Sequence, residues 1–201
     1  MSERLIGLGA LIALDPHDLT DDLPAVSIRV GAAERVLRSA DDFRVWASLS
    51  REPNTLGELT RFVHPEPGYT GEQRLVGAES AADIVERLRS DGTVVGIHDG
   101  QPQVDLAMRL RLLPLWRGST HQLADEERFP IGTAHGTVSV LTAAEHAVWA
   151  RLDGHNSIAE IAVGMSIRDG LDDAAASLPD AWQVCLKLVR QGAAYFDLAL
   201  T

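Results

Sequence analysis

The chain has 201 residues and 45% hydrophobic side chains, enough for one large or two small globular domains. Its formal net charge of −11 is spread along the chain, with 10 basic against 17 acidic residues in 1–103 and 8 against 12 in 104–201. Neither half offers the bulk basic surface that supplies most of a duplex-binding module's affinity. No apolar run reaches the roughly 20 residues a membrane-spanning helix needs. Met1–Leu5 lacks the basic segment and cleavage site of a signal peptide, and the single Cys185 excludes an internal disulfide framework, so a cytoplasmic location is expected.

Residues 4–14 (RLIGLGALIAL) and 24–30 (PAVSIRV) have strand-like apolar content on either side of an acidic loop, Asp15–Asp22; a helix is the weaker alternative for the first. At Ser39 the period changes. Ser39 and Asp42 form a capping-box pattern ahead of Phe43, Val45, Trp46 and Leu49, which predicts a helix that stops at Arg51–Asn54. Thr55 and Glu58 cap a second helix carrying Leu56, Leu59 and Phe62. A Pro/Gly-rich loop covers His64–Gly77, and a third helix runs from about Ser80 to Asp91 with Gly92 ending it. Residues 93–97 (TVVGI), a turn at His98–Gly100 and a strand from Gln103 read as a β-hairpin.

The second half repeats that order. Residues 105–116 finish the hairpin and lead into the next sheet, and Arg117–Glu127 is polar loop. Phe129–Gly132 and Gly136–Leu141 form a strand pair around Thr133–His135. Thr142 with Glu145 and Ser157 with Glu160 cap two short helices that break at Asp153–Asn156. After a loop at Ser166–Ser177, a third helix spans about Pro179–Gln191, Gly192 ends it, and Ala193–Leu198 returns as a strand.

The two halves also match residue by residue. Val45-Trp46-Ala47 matches Val148-Trp149-Ala150 at an offset of 103, and the Ser39/Asp42 pair falls on Thr142/Glu145. Thr55/Glu58 falls on Ser157/Glu160, and Leu88 and Gly92 fall on Leu188 and Gly192. Coincidence of both capping boxes points to a tandem duplication; two unrelated helical hairpins with common capping chemistry are the alternative. The predicted fold is α+β, with tandem winged-helix domains at 1–103 and 104–201, each of three helices plus a small antiparallel sheet.

Leu141-Thr142-Ala143-Ala144, Val148, Leu152-Asp153-Gly154, Ser157–Ile161 and then Leu186, Leu188, Val189, Gly192 and Ala193 resemble the PqqD-like family, the winged-helix peptide chaperones also called RiPP precursor recognition elements. The resemblance covers about residues 127–198. The first copy departs from the pattern, with Ser50-Arg51 in place of Asp-Gly and a longer loop before its third helix. The resemblance implies a non-catalytic accessory protein of natural-product biosynthesis. Such a protein holds the leader of a ribosomally made precursor peptide as an added β-strand, between a sheet edge and the third helix, and delivers it to a modifying enzyme. Main-chain hydrogen bonds would supply the affinity and apolar pockets the selection. Two alternatives use similar helices: a winged-helix DNA-binding regulator, and a structural adaptor of a larger complex.

Aligning the third helices singles out candidate site residues. Ala82, Glu86 and Arg89 in the first copy are replaced by Trp182, Leu186 and Val189, a second apolar stripe beside the core positions Val184, Cys185 and Leu188. With Val138 and Val140 on the preceding strand, Trp182, Leu186 and Val189 are expected to line the peptide cleft. Packing on the first copy, or on a second subunit in a homodimer, is the alternative fate of the stripe. Trp46 and Trp149 are expected in the core, and Trp116 has no assigned role.

Chemistry is otherwise absent from the sequence. None of the seven histidines sits at metal-ligand spacing; His17 and His135 fall in loops or turns, and His146 on a helix flank. Cys185 lies on an apolar helix without a neighbouring histidine, as a buried inert thiol would. No nucleophile elbow, phosphate-cradling loop or dinucleotide fingerprint occurs, so no catalytic residue, metal or cofactor is expected.

Overall fold

The computed structural model describes residues 3–14, 26–63, 80–98, 102–115, 117–118, 128–133, 136–170 and 173–198. The loops expected at Asp15–Asp22 and His64–Gly77, most of the loop after Gly118, and His17, Trp116 and His135 lie outside them. The chain is mixed α+β, with small antiparallel sheets, and divides into two compact units, Met1–Gly100 and Gln101–Thr201.

The first unit opens with two strands where one was expected. β1 (Arg4–Gly7) and β2 (Ala10–Leu14) are separated at Gly9, whose φ of +88° is left-handed. A Cβ there would stand 2.3 Å from the Arg29 carbonyl oxygen, so only glycine lets the chain turn this close to its neighbour. β2, β3 (Val26–Val30) and β4 (Ala33–Leu37) form an antiparallel meander; β4 (AERVL) does not alternate apolar with polar residues and buries only Leu37, so it escapes the periodicity argument. Helices α1 (Ala40–Leu49), α2 (Leu56–Val63) and α3 (Ala81–Ser90) follow, and β5 (Val94–Ile97) closes the unit.

β5 does not make the expected hairpin with the residues after it. Its partner is β1, with Arg4 opposite Ile97 and Gly7 opposite Val94. The residues predicted to return as a strand instead start α4 (Val104–Arg109), a six-residue helix, before β6 (Leu110–Pro114).

The capping chemistry holds with one change. Thr55 and Glu58 form both halves of a box, at 3.2 Å and 2.7 Å. Ser39 accepts from the Asp42 N–H at 3.1 Å, but Asp42 does not return the bond. Its carboxylate takes the Arg38 N–H at 2.9 Å and the Arg87 guanidinium of α3. The apolar faces of the helices meet over Ile6, Leu8, Val45, Leu49, Leu59, Ile84 and Leu88, all buried. The Trp46 indole N–H is satisfied by the Leu8 carbonyl at 2.8 Å.

The second unit continues with β7 (Arg117–Gly118), β8 (Phe129–Thr133) and β9 (Gly136–Leu141), again a three-stranded antiparallel meander. Then come α5 (Ala143–Trp149), α6 (Ile158–Asp169), a 3-10 turn at Ala174–Ser177, α7 (Leu178–Arg190) and β10 (Ala194–Leu198). The strand pair around residues 133–135 and both capping boxes form as expected. The loop placed at Ser166–Ser177 starts later, because α6 runs on to Asp169 and ends at Gly170 with a φ of +67°.

Element order recurs between the units, and so do contacts that no sequence motif announces. β10 pairs with β6 as β5 does with β1. Arg4 donates to the Pro53 carbonyl at 3.2 Å, and Arg111 to the Gly154 carbonyl, each tying the first strand to the turn between two helices. The Asp42–Arg87 ion pair between α1 and α3 returns as Glu145–Lys187 between α5 and α7. The last helix hands over to the last strand in the same way, through Thr93 N–H to Leu88 O and Ala193 N–H to Leu188 O, both at 2.9 Å.

Candidate functional site

Among the described residues β9 is the outer strand of its sheet, in the order β7-β8-β9. In register, Phe129 faces Leu141, Pro130 faces Val140 and Ile131 faces Ser139. Pro130 has no N–H, so Pro130 and Val140 form a pair that exchanges no hydrogen bonds, and Val140 turns its own N–H and C=O to the open edge. Its side chain is 40% exposed, whereas Leu141 is fully buried. Ser139 donates from its hydroxyl to the side-chain carbonyl of Gln191, the C-cap of α7, at 2.9 Å; this fixes the end of α7 against the strand. The pairing register shifts between Ile131 and Gly132, leaving Val138 as the extra residue of a β-bulge; its side chain lies outside the described residues.

The equivalent strand of the first unit, β4, is built differently. It carries Glu34 and Arg35 and is followed by Arg38. Arg35 donates to the Asp91 carbonyl at 2.9 Å and Arg38 pairs with the Asp91 carboxylate at 3.8 Å, again at the C-cap of the third helix. Charges on an edge strand oppose pairing with another chain. β9 (GTVSVL) carries none.

The stripe expected to line the cleft is internal. Trp182 has 0% exposure and stacks on Phe196 of β10, ring centroids 5.0 Å apart; Leu186 and Val189 are buried as well. Trp182 is therefore a core residue in this structure, and of the four expected site residues whose side chains are described only Val140 stands exposed. The first unit shows what the stripe replaces. Where Phe196 stands in β10, β5 has Gly96, and the Glu3–Arg89 ion pair (2.5 Å) lies over it. Exchanging an ion pair over glycine for a tryptophan over phenylalanine buries a second side of α7.

Trp149, expected in the core like Trp46, is only half-buried. Its ring lies 6.0 Å from His146, which stacks on Phe129 at 4.1 Å, so His146 joins α5 to β8 through an aromatic ladder. The Trp149 indole N–H has no partner among the described residues.

The charges near β9 serve the scaffold. Burial pushes the Glu145 carboxyl up, but the bonds it accepts from Lys187 and from the Thr142 backbone outweigh that, holding it below the usual carboxylate range. Burial pushes the Cys185 thiol up to about 12, leaving it protonated and unreactive. Among the described residues no group of three His, Cys, Asp or Glu side chains could hold a metal ion.

A second feature went unseen in the sequence. Val104 and Met108 of α4, Ala159, Ala162 and Val163 of α6, and Leu178 line an apolar groove of about 410 Å³, with Ser157 and Glu160 at one end. Met108 is 61% exposed, and Ile167, one turn beyond Val163, is 75% exposed. The signal was present: α6 reads IAEIAVGMSIRD, apolar on nearly every side, and such a helix needs cover all round. No helix among the described residues is long and apolar enough to cross a membrane. No family model, curated protein or solved structure matches the chain.

Proposed function

We propose that this chain is a tandem winged-helix protein that binds an extended peptide without catalysing a reaction, and that the peptide adds as a strand to β9. In its specific form, the ligand is the leader of a ribosomally made precursor peptide, captured for a modifying enzyme as the resemblance of residues 127–198 implies. The observation that carries the reading is the uncharged open edge of β9, where Val140 offers both main-chain groups and an exposed side chain. Strand addition takes its affinity from such groups and its selection from alternate side chains. The recurrence of strand pairing, capping and the helix-to-helix ion pair across the two units supports a duplicated fold.

The distribution of cations argues against a DNA-reading third helix. Arg87 and Arg89 of α3 are paired with Asp42 and Glu3, and Lys187 of α7 with Glu145, so these cations are already neutralised. The test is selection from a displayed library of linear peptides, followed by titration of the winners against wild-type protein and Val140→Pro. Proline is tolerated where a strand's N–H faces away from its neighbour, so the fold is retained while one pairing donor is lost. Selected peptides should bind the variant at least tenfold more weakly, and an N-methyl group at the paired position of the peptide should cost as much. Equal binding to both proteins removes β9 from the reading.

A further inference from the structure

We propose that the outer face of α6, flanked by α4, joins two copies of this chain in an antiparallel, two-fold helix pair. This inference stands independently of peptide binding at β9. α6 buries Ile158, Ile161, Ala162 and Met165 on its inner side, and leaves Val163 and Ile167 exposed on the outer one, in line with the small Ala159. Residues at i, i+4 and i+8 form one ridge, and ridges of this kind pack helix against helix. A two-fold interface must be self-complementary, because each patch meets its own copy.

The α6 ridge meets that condition in shape and in charge. With the axis at Val163, that residue meets its counterpart, and the projecting Ile167 of each copy falls over Ala159 of the other. The same arrangement brings Glu160, near the start of one helix, beside Arg168, near the end of the other, twice. Glu160 keeps an acceptor for this: both capping bonds from Ser157 end on its Oε2, leaving Oε1. Arg168 engages its neighbour Asp169 through Nε and one terminal nitrogen, leaving the other. Met108 and Val104 of α4, both exposed beside the ridge, widen the apolar contact.

The full chain should sediment as a concentration-dependent dimer. Ile167→Glu changes a side chain that is 75% exposed, so the fold is kept, and it should raise the dimer dissociation constant at least tenfold with unchanged circular dichroism. Arg168→Glu should weaken the dimer in the same direction. Val163→Cys, on the axis, should cross-link two copies under mild oxidation, whereas a cysteine at the exposed Ser90 should not. The native Cys185 is buried and does not compete. A wild-type chain that stays monomeric at every concentration accessible to sedimentation overturns the proposal. So does a dimer that survives Ile167→Glu and fails to cross-link through Val163→Cys.

Discussion

Truncating Trp182 to alanine separates a core role from a surface role more sharply than any other change in this chain. The side chain is fully buried and stacked on Phe196, so its removal forfeits the burial of a large ring and leaves a cavity that its neighbours only partly fill. Tryptophan-to-alanine changes in cores cost about 4 kcal/mol. A compact unit of this size holds only about 5–15 kcal/mol in all, so the folded-to-unfolded ratio should fall by roughly a thousandfold. For a unit of about 100 residues the matching fall in melting temperature is about 20 °C. Because the chain has two units, the measurement should be local: hydrogen exchange of the α7 amides in wild type, Trp182→Ala and Trp182→Phe. The phenylalanine variant keeps a ring on Phe196 and should retain most of the protection. A loss below about 1 kcal/mol in the alanine variant would show that the ring does not sit in the core, and would return Trp182 to the ligand-facing surface.

Two further predictions test the scaffold. Gly9→Ala forces a left-handed φ on a side chain and drives its Cβ to 2.3 Å from the Arg29 carbonyl, so it should cost at least about 2 kcal/mol by urea denaturation; a neutral result would refute the turn. Glu145 has a folded pKa below its ordinary 4.5, so the stability it contributes is present above that value and lost as pH falls through the folded pKa. Glu145→Gln should therefore flatten the acid limb of the stability profile below about pH 4.5, and cost no more than about 1 kcal/mol at neutral pH because Lys187 is half exposed. Parallel acid limbs in the two proteins would show that the ion pair is not formed.

Local chemistry was readable from residues a few places apart. The caps at Thr55, Thr142 and Ser157 and the strand pair around residues 133–135 need only neighbours in sequence, and they form as expected. What failed was what depends on distant partners. The sequence of β5 suggests a hairpin partner next door, yet its partner lies at the start of the chain, and nothing in TVVGI distinguishes the two. α4 (VDLAMR) has only six residues, too few for their period to separate helix from strand. The pairing of β1 and β6 with the closing strands also explains a likeness between them, Arg4-Leu5-Ile6-Gly7-Leu8 against Arg111-Leu112-Leu113-Pro114-Leu115. At the candidate site, the open edge was legible in the uncharged GTVSVL, but the fate of Trp182 was not. A stripe of Trp, Leu and Val is compatible with a ligand, a partner or a second core, and only Phe196, fourteen residues further on, decides it.

The pairing of each unit's opening strand with its closing one also sets a schedule during synthesis. Arg4 cannot meet Ile97, nor Leu110 meet Leu198, until nearly the whole unit has left the ribosome. Three helices are made in the interval, and the loop they close carries the entropic cost of about 90 residues. Each unit should thus complete in one late step, and the first can finish while α4 and the strands of the second are still being translated. A unit that begins and ends at the same place in space can also be added to a gene, or lost from it, without cutting through a sheet.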